Sequence, residues 1–282
     1  MRILQYKRSK LAFAPDEIAR VINKYTDHQS FISGNEENFT KEKTDFIHFH
    51  NGFKSLCGIK SCIQYHSEPK KVKLDFPGRK LVISQYHATL EEYKDCTIVR
   101  NPIDFEKDIY EYVRIDDKIR IGYSPSTKTK DSEWADKGYE QTKEILEKLK
   151  EQYKISYDII HNTTLLDCIL RKSRCNIIID ECITTSFHRS ALEGLALGKY
   201  TICSYGKEVA DVIKKVTNQK LIPFENVWID GLYEYLERLI KDYDMKTIVD
   251  RGMRNREWMY RYWHPKTIAN EYIRIYEEEM KK

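Results

Sequence analysis

Residues Thr185–Lys199 read Thr-Ser-Phe-His-Arg-Ser-Ala-Leu-Glu-Gly-Leu-Ala-Leu-Gly-Lys. The apolar run Asn176-Ile177-Ile178-Ile179-Asp180 precedes them and Tyr200-Thr201-Ile202-Cys203 follows. Both flanks have the length and β-branched content of buried strands. Between them a polar loop leads into a short helix, in which Ala191, Leu192, Leu195 and Ala196 recur at helical spacing and Gly198 supplies the stop. Strand, loop, helix and strand in this order make a parallel crossover, and the sheet that contains it fixes the fold class. Glu193 then falls in the first turns of the helix, beside the carboxyl end of a parallel strand, where open α/β sheets bind ligands. Loop N–H groups and a helix N-terminus receive phosphate, and a carboxylate there accepts hydrogen bonds from sugar hydroxyls such as those of a ribose. The plainer reading, an ordinary crossover with a solvated Glu193, fits the same spacing.

Working outward, the alternation of strand and helix continues on both sides. Toward the N-terminus come a strand at Ile119–Tyr123, a loop from Ser124 to Asp136, and a helix with Thr142, Ile145, Leu146, Leu149 and Tyr153 on one face. A strand at Ile155–Ile160 and a short helix at Leu165–Leu170 complete a βαβαβαβ half, spanning 119–264. The first half, 1–104, opens with a strand at Arg2–Tyr6 and a helix starting at Pro15-Asp16-Glu17. Asp45–Asn51, Ser61–Pro69 and Lys80–Gln85 are three further strands, each running into polar or His residues, so a second parallel sheet presents a polar carboxyl edge. His48, His50 and His66 fall at these strand ends, and each reads either as a satisfied structural histidine or as a functional one. Residues 105–118 are polar and charged and read as a linker. The tail is helical, and after Pro265 a final amphipathic helix carries Ile268, Tyr272, Ile275 and Tyr276.

Composition narrows the class. A chain of 282 residues with 41% hydrophobic and 33% charged residues is globular, with room for two cores. No apolar run reaches the roughly 18 residues that span a bilayer, and Met1–Tyr6 is too polar and short for a signal peptide. Seven scattered cysteines without a Cys-x-x-Cys pair point to reduced thiols in the cytoplasm, with the inner membrane face within reach, and to no zinc site. The net charge of +4 is too mild to demand a nucleic-acid groove. The first turn lacks the glycines of a dinucleotide fingerprint. Asp242-Tyr243-Asp244, the one Asp-x-Asp, sits in a polar helical stretch and reads as surface, so no metal is expected.

Several of these features together resemble a family. The two Rossmann-like halves, the turn Arg100-Asn101-Pro102-Ile103-Asp104, the Ser-Pro-Ser loop leading to Lys137-Gly138, and Ser186–Glu193 are similar to GT-B glycosyltransferases, closest to the retaining, GT4-like group. The resemblance covers most of the chain and implies an α/β fold of two parallel sheets facing a cleft, with the helix 265–282 crossing back to the first domain. It implies a hexosyl- or pentosyltransferase that uses a nucleotide-sugar donor and neither cofactor nor metal. Glu193 matches the second Glu of the family's Glu-x7-Glu motif, which binds the donor ribose, and Thr185 stands where the first Glu faces the donor sugar. Lys137 matches the lysine that neutralises the pyrophosphate. The companion arginine has no clear match, and Lys128 or Lys130 is its substitute. Ser186, Phe187, His188, Arg189 and Ser190 complete the donor loop. His66 resembles the first-domain histidine that faces the donor sugar, which makes His66, Lys137 and Glu193 the catalytic set. Lys7, Arg8 and Lys10 replace a Gly-rich loop found in many relatives, and with His50, Asn51, Ser67 and Glu68 they form the expected acceptor site. The acceptor is a glycan, a lipid-linked group or a modified nucleic-acid base. A GT-B-fold protein that holds a nucleotide sugar or glycan without turnover, or a glycosyltransferase acting on modified DNA bases, are the alternatives.

Overall fold

A computed structural model describes residues 1–7, 14–35, 38–53, 58–115, 118–125 and 137–282. In chain order the strands are β1 (Arg2–Tyr6), β2 (Gln29–Ser33), β3 (Phe46–His50), β4 (Lys60–Tyr65), β5 (Arg79–Ile83), β6 (Thr97–Val99), β7 (Ile119–Tyr123), β8 (Ile155–Ile159), β9 (Ile177–Ile179), β10 (Tyr200–Cys203) and β11 (Glu225–Asn226). The helices are α1 (Ala14–Tyr25), α2 (Tyr139–Gln152), α3 (Leu165–Ser173), α4 (Arg189–Ala196), α5 (Lys207–Thr217), α6 (Leu232–Asp242), α7 (Met245–Tyr262) and α8 (Pro265–Met280). The chain forms two compact units, one of Met1–Asp104, Asp211–Asn218 and Trp263–Lys282, the other of Phe105–Ala210 and Gln219–Tyr262.

The first unit is built on a six-stranded parallel sheet in the order β2-β1-β3-β4-β5-β6. Because side chains alternate across a strand, the two faces differ in chemistry. One face buries Leu4, Tyr6, Ile47, Phe49, Ile63, Tyr65 and Val82 against Phe39, Phe76 and Tyr93. The opposite face carries Gln5, His48, His50 and Gln64, all buried. Helix α8 supplies a partner for two of them, Gln64 and His48. Tyr272 donates to Gln64 Oε1 at 3.0 Å, and the Tyr276 hydroxyl lies 2.8 Å from His48 Nδ1. A β4 face with a buried glutamine is tolerated only because these bonds replace the ones lost to water.

The second unit has a five-stranded parallel sheet in the order β11-β10-β9-β7-β8. Its core joins Ile121, Tyr123, Ile177, Ile179 and Ile202 to Leu146 and Leu149 of α2 and to Leu232, Leu236 and Leu239 of α6. Counted within the unit, the strand order is 2-1-3-4-5, and the winding direction reverses between β7 and β9. In doubly wound sheets this switch point, at the carboxyl ends of the strands, is where ligands bind. Gly194 lets α4 lie close to the sheet, since a Cβ there would meet Thr201 Oγ1 at 2.7 Å and Ile178 Cβ at 3.2 Å.

Two details differ from the sequence reading. Residues 105–115 are built into the second unit rather than strung out as a linker. Phe105 and Tyr110 are buried, the Phe105 ring meets Tyr260 edge-on at 4.7 Å, and Arg256 donates to the Tyr110 carbonyl at 2.7 Å. Strand β2, Gln-Ser-Phe-Ile-Ser, has too little apolar alternation to be read from sequence and, among the described residues, is an edge strand paired with β1 alone.

Candidate functional site

The loop after β9 is shaped from within by two acidic residues. Asp180 and Glu181 end the apolar run Ile177–Ile179 and are both buried. Glu181 Oε2 accepts from the Ile183 and Thr184 N–H groups at 2.8 Å each, and its Oε1 takes the Thr184 hydroxyl. Asp180 Oδ2 accepts from the His188 N–H at 2.6 Å, which closes the loop at the start of α4. Ser186 and Phe187 point into the core, with the Phe187 ring stacked on Phe224 at 5.1 Å. The Ser186 hydroxyl donates to the Phe187 carbonyl at 3.1 Å, so both side chains are held within the protein. Thr185 is exposed at the tip, its carbonyl accepting from the Gly206 N–H at 3.0 Å.

Cationic side chains from separate elements meet this loop. Lys137, only 6% exposed, precedes α2, and its Nζ lies 2.8 Å from His188 Nε2. An ammonium only donates, so Nε2 accepts and the imidazole hydrogen sits on Nδ1. That Nδ1 is 3.5 Å from both Asp180 Oδ2 and Glu181 Oε1. Gly138 fixes the approach, with a left-handed φ of +66° and a position where a Cβ would come 2.8 Å from Ile183 Cδ1. Lys137 and Gly138 follow β7 and the 180–188 loop follows β9, so they meet at the switch point.

Glu193 is not the solvent-side carboxylate its place in α4 suggested. It is 3% exposed, and both of its oxygens are engaged. Lys172 Nζ, from α3, donates to Glu193 Oε2 at 2.6 Å and to Ser190 Oγ at 2.9 Å, while Arg189 Nε donates to Glu193 Oε1 at 2.8 Å. Burial pushes the Glu193 carboxyl up, but the Lys172 and Arg189 charges outweigh it and hold the group below its ordinary range. Burial likewise lowers the Lys172 ammonium, and Glu193 outweighs it in the other direction. Both partners are therefore charged at neutral pH. Lys172 does not stand out in the sequence, because a lysine in a short helix reads as solvated. The signal was its place beside Ile169 and Ser173 on the buried face of α3.

In the first unit the predicted residues divide. Gln5 donates from Nε2 to Ser30 Oγ at 3.1 Å, which leaves its Oε1 to accept from His50 Nε2 at 2.9 Å. A neutral His50 then accepts at Nδ1 from His66 Nε2 at 3.0 Å, so the His66 Nδ1 carries the lone pair. Burial holds His48 and His50 well below the ordinary histidine range and lowers His66 to about 3. Asn51, with a left-handed φ of 60°, accepts from the His66 N–H at 2.6 Å and donates to Ser67 Oγ at 2.8 Å. His66, Asn51 and Ser67 thus form one polar group at the carboxyl ends of β3 and β4. His50 acts behind it rather than at its surface. Glu68 is buried against Lys70 and Lys71, at 3.3 and 3.0 Å, and Lys7 is paired with Asp16 at 2.5 Å. Arg8, Lys10, Lys128 and Lys130 lie outside the described residues.

No family model matches this sequence, and no curated protein matches it by sequence. Solved structures do match its fold. A glycosyltransferase from Rickettsia africae ESF-5 aligns over 100% of this chain and 99% of its own, with a TM-score of 0.67 at 13% identity. Starch synthase IV from Arabidopsis thaliana, whose catalytic domain was solved with ADP and acarbose, aligns over 100% and 99% with a TM-score of 0.64 at 9% identity. Anabaena Alr3699/HepE, solved with UDP and glucose, aligns over 99% and 100% with a TM-score of 0.62 at 10% identity. At these identities the likeness defines the fold alone: this chain has the GT-B fold, two Rossmann-like α/β units.

Proposed function

We propose that the protein is a glycosyltransferase that takes a sugar from a nucleoside-diphosphate-sugar donor and passes it to a hydroxyl acceptor. The observation that carries this reading is the loop and helix that follow β9 in the second unit, where His188 meets Lys137 and, farther along α4, Glu193 meets Lys172 and Arg189. Departure of a nucleoside diphosphate builds negative charge on a pyrophosphate. Fixed cations stabilise charge that develops in the transition state more effectively than water does. Lys137, just before α2, is the group assigned to that charge, and it meets His188 at the N-terminus of α4. Glu193 is assigned to the ribose of the donor. His66, with the lone pair on its Nδ1, is assigned to a sugar hydroxyl beside Asn51 and Ser67 at the carboxyl edge of the first unit's sheet. These cations supply the charge that a divalent ion brings elsewhere, so the proposed mechanism is metal-independent. Retention of configuration is part of the proposal, supported by the resemblance of Thr185–Glu193 to the retaining group.

The UDP bound by HepE and the ADP bound by starch synthase IV make these two nucleotides the first donors to try. A thermal-shift screen of UDP, GDP, ADP and CMP sugars tests the reading, because a ligand that binds the folded state raises Tm by mass action. Stabilisation by one nucleotide class, lost in Lys137→Ala, is expected; no stabilisation by any of them contradicts it. A second reading, binding without turnover, draws on Thr185, which offers no carboxylate at the exposed loop tip. Release of sugar from a bound donor, even slow, separates the two.

A further inference from the structure

The two cations on Glu193 are not equivalent. Arg189 lies on the outer side, 20% exposed, four residues before Glu193 on the same helix. Lys172 lies on the inner side, 1% exposed, and comes from a different element, α3. Its Nζ also holds Ser190 Oγ at 2.9 Å, so Lys172 ties α3 to two successive turns of α4. A long side chain at a partly exposed site can leave its partner for a better one at little cost, and a donor pyrophosphate is a better partner for a guanidinium than a single carboxylate oxygen. A fully buried ammonium has no such freedom, since leaving Glu193 would strand a charge in the interior.

A count of lone pairs points the same way. An ionised carboxylate offers about four acceptor sites on its two oxygens. Lys172 takes one site on Oε2 and Arg189 one on Oε1. When Arg189 turns to phosphate, Oε1 is cleared, while Oε2 stays fixed in place by Lys172. The vicinal diol of a ribose presents two O–H donors and fits a carboxylate held in that way.

We propose that Lys172 is the positioning residue for nucleotide recognition, the fixed inner counter-ion that aims Glu193 at the ribose diol of the donor when Arg189 is drawn to the phosphates. The inference rests on the reading above that Glu193 meets the ribose. The other charged or titratable groups that act on Lys172 are Cys168, four residues earlier on α3, and Asp180, at the end of β9. Asp180 is already committed to the His188 N–H.

The test is the ratio of affinities for a nucleoside diphosphate and its 2′,3′-dideoxy form, measured by calorimetry with UDP or ADP on the full chain. The wild type is expected to favour the ribose form by roughly tenfold or more, the range of hydrogen bonds to a charged acceptor. Lys172→Met is expected to bring the ratio to within about twofold of unity, leaving the dideoxy affinity nearly unchanged. Arg189→Gln is expected to weaken both forms in proportion and keep the ratio, as a phosphate contact does. Lys172→Gln keeps an N–H for Glu193 but no charge, and it is the second variant should Lys172→Met fail to fold; the ratio falls in it too. A Lys172 variant that weakens both nucleotides equally, with the wild-type ratio intact, overturns the proposal and leaves Lys172 a purely structural ion. Collapse of the ratio in Arg189→Gln alone also overturns it, by making Arg189 the positioning group. A wild type that binds both forms equally overturns the ribose assignment of Glu193 itself, and the two failures are thereby told apart.

Discussion

Replacing Glu193 with Ala removes the shared partner of an inner and an outer cation, and the cost follows from what each is left with. Arg189 is 20% exposed, so the loss of Glu193 costs it less than it costs a fully buried side chain. Lys172 is 1% exposed and keeps only Ser190 Oγ, so its charge is stranded in the interior. Removing one member of a buried ion pair costs about 3–5 kcal/mol. In a domain of 150–250 residues each kcal/mol lowers Tm by roughly 2–4 °C, so a loss of about 3 kcal/mol is a fall of roughly 6–12 °C. The reverse change, Lys172→Met, is milder, about 1–3 kcal/mol, because Glu193 retains the Arg189 contact at 2.8 Å. Lys172→Met combined with Glu193→Ala removes both charges and is expected to cost less than the two single changes together, which is the signature of direct coupling. Urea unfolding of all four proteins reads this out, provided the slope stays constant across the set. Glu193→Ala within about 1 kcal/mol of the wild type would refute the reasoning, for it would mean that Lys172 finds water or another anion.

Four further outcomes are expected. Lys137→Ala lowers kcat more than it raises the donor KM, because charge on the pyrophosphate grows as the sugar departs; a change in KM alone makes Lys137 a plain binding residue. Transfer or donor hydrolysis survives excess EDTA, and loss of activity restored by magnesium or manganese would sink the metal-free mechanism. Burial depresses His48, His50 and His66, so the unfolded chain binds more protons below its ordinary histidine pKa of about 6.5. Stability of the first unit then falls as pH drops from about 6.5 toward about 3, by at most about 1.4 kcal/mol per pH unit per histidine, and His48→Phe flattens that slope in acid-titrated urea curves. Gly194→Ala destabilises the second unit by about 1–3 kcal/mol through the 2.7 Å approach to Thr201 Oγ1, seen as a lower urea midpoint.

Much of the second unit is legible in the sequence because its signals are local. The run Ile177–Ile179 is too apolar for an edge strand, and Gly198, with φ at +68°, ends α4 as a residue free to adopt that conformation. Lys137 and Glu193 stand out by motif position. What the sequence hides is tertiary. The order β11-β10-β9-β7-β8 follows from pairing across the sheet, and nothing in the alternation of strands and helices spells it out. Glu193 reads as solvent-facing because its counter-ion, Lys172, lies 21 residues away on a different helix. Ser186 and Phe187 sit inside a motif that reads as ligand-facing, yet Phe224, far along the chain, claims the Phe187 ring. The histidines at the ends of β3 and β4 were visible, but their division into an inner His50 and an outer His66 depends on Gln5 from β1.

The central claim is that Lys137 and its neighbours at the β7/β9 switch point hold a nucleoside-diphosphate sugar and release its diphosphate. The most direct measurement is the release of nucleoside diphosphate from UDP-glucose and ADP-glucose by the purified protein, compared with Lys137→Ala. The account predicts that at least one donor yields free diphosphate and sugar with the wild type, and that the variant, still folded by circular dichroism, releases little. Equal release by the wild type and a folded Lys137→Ala would contradict it.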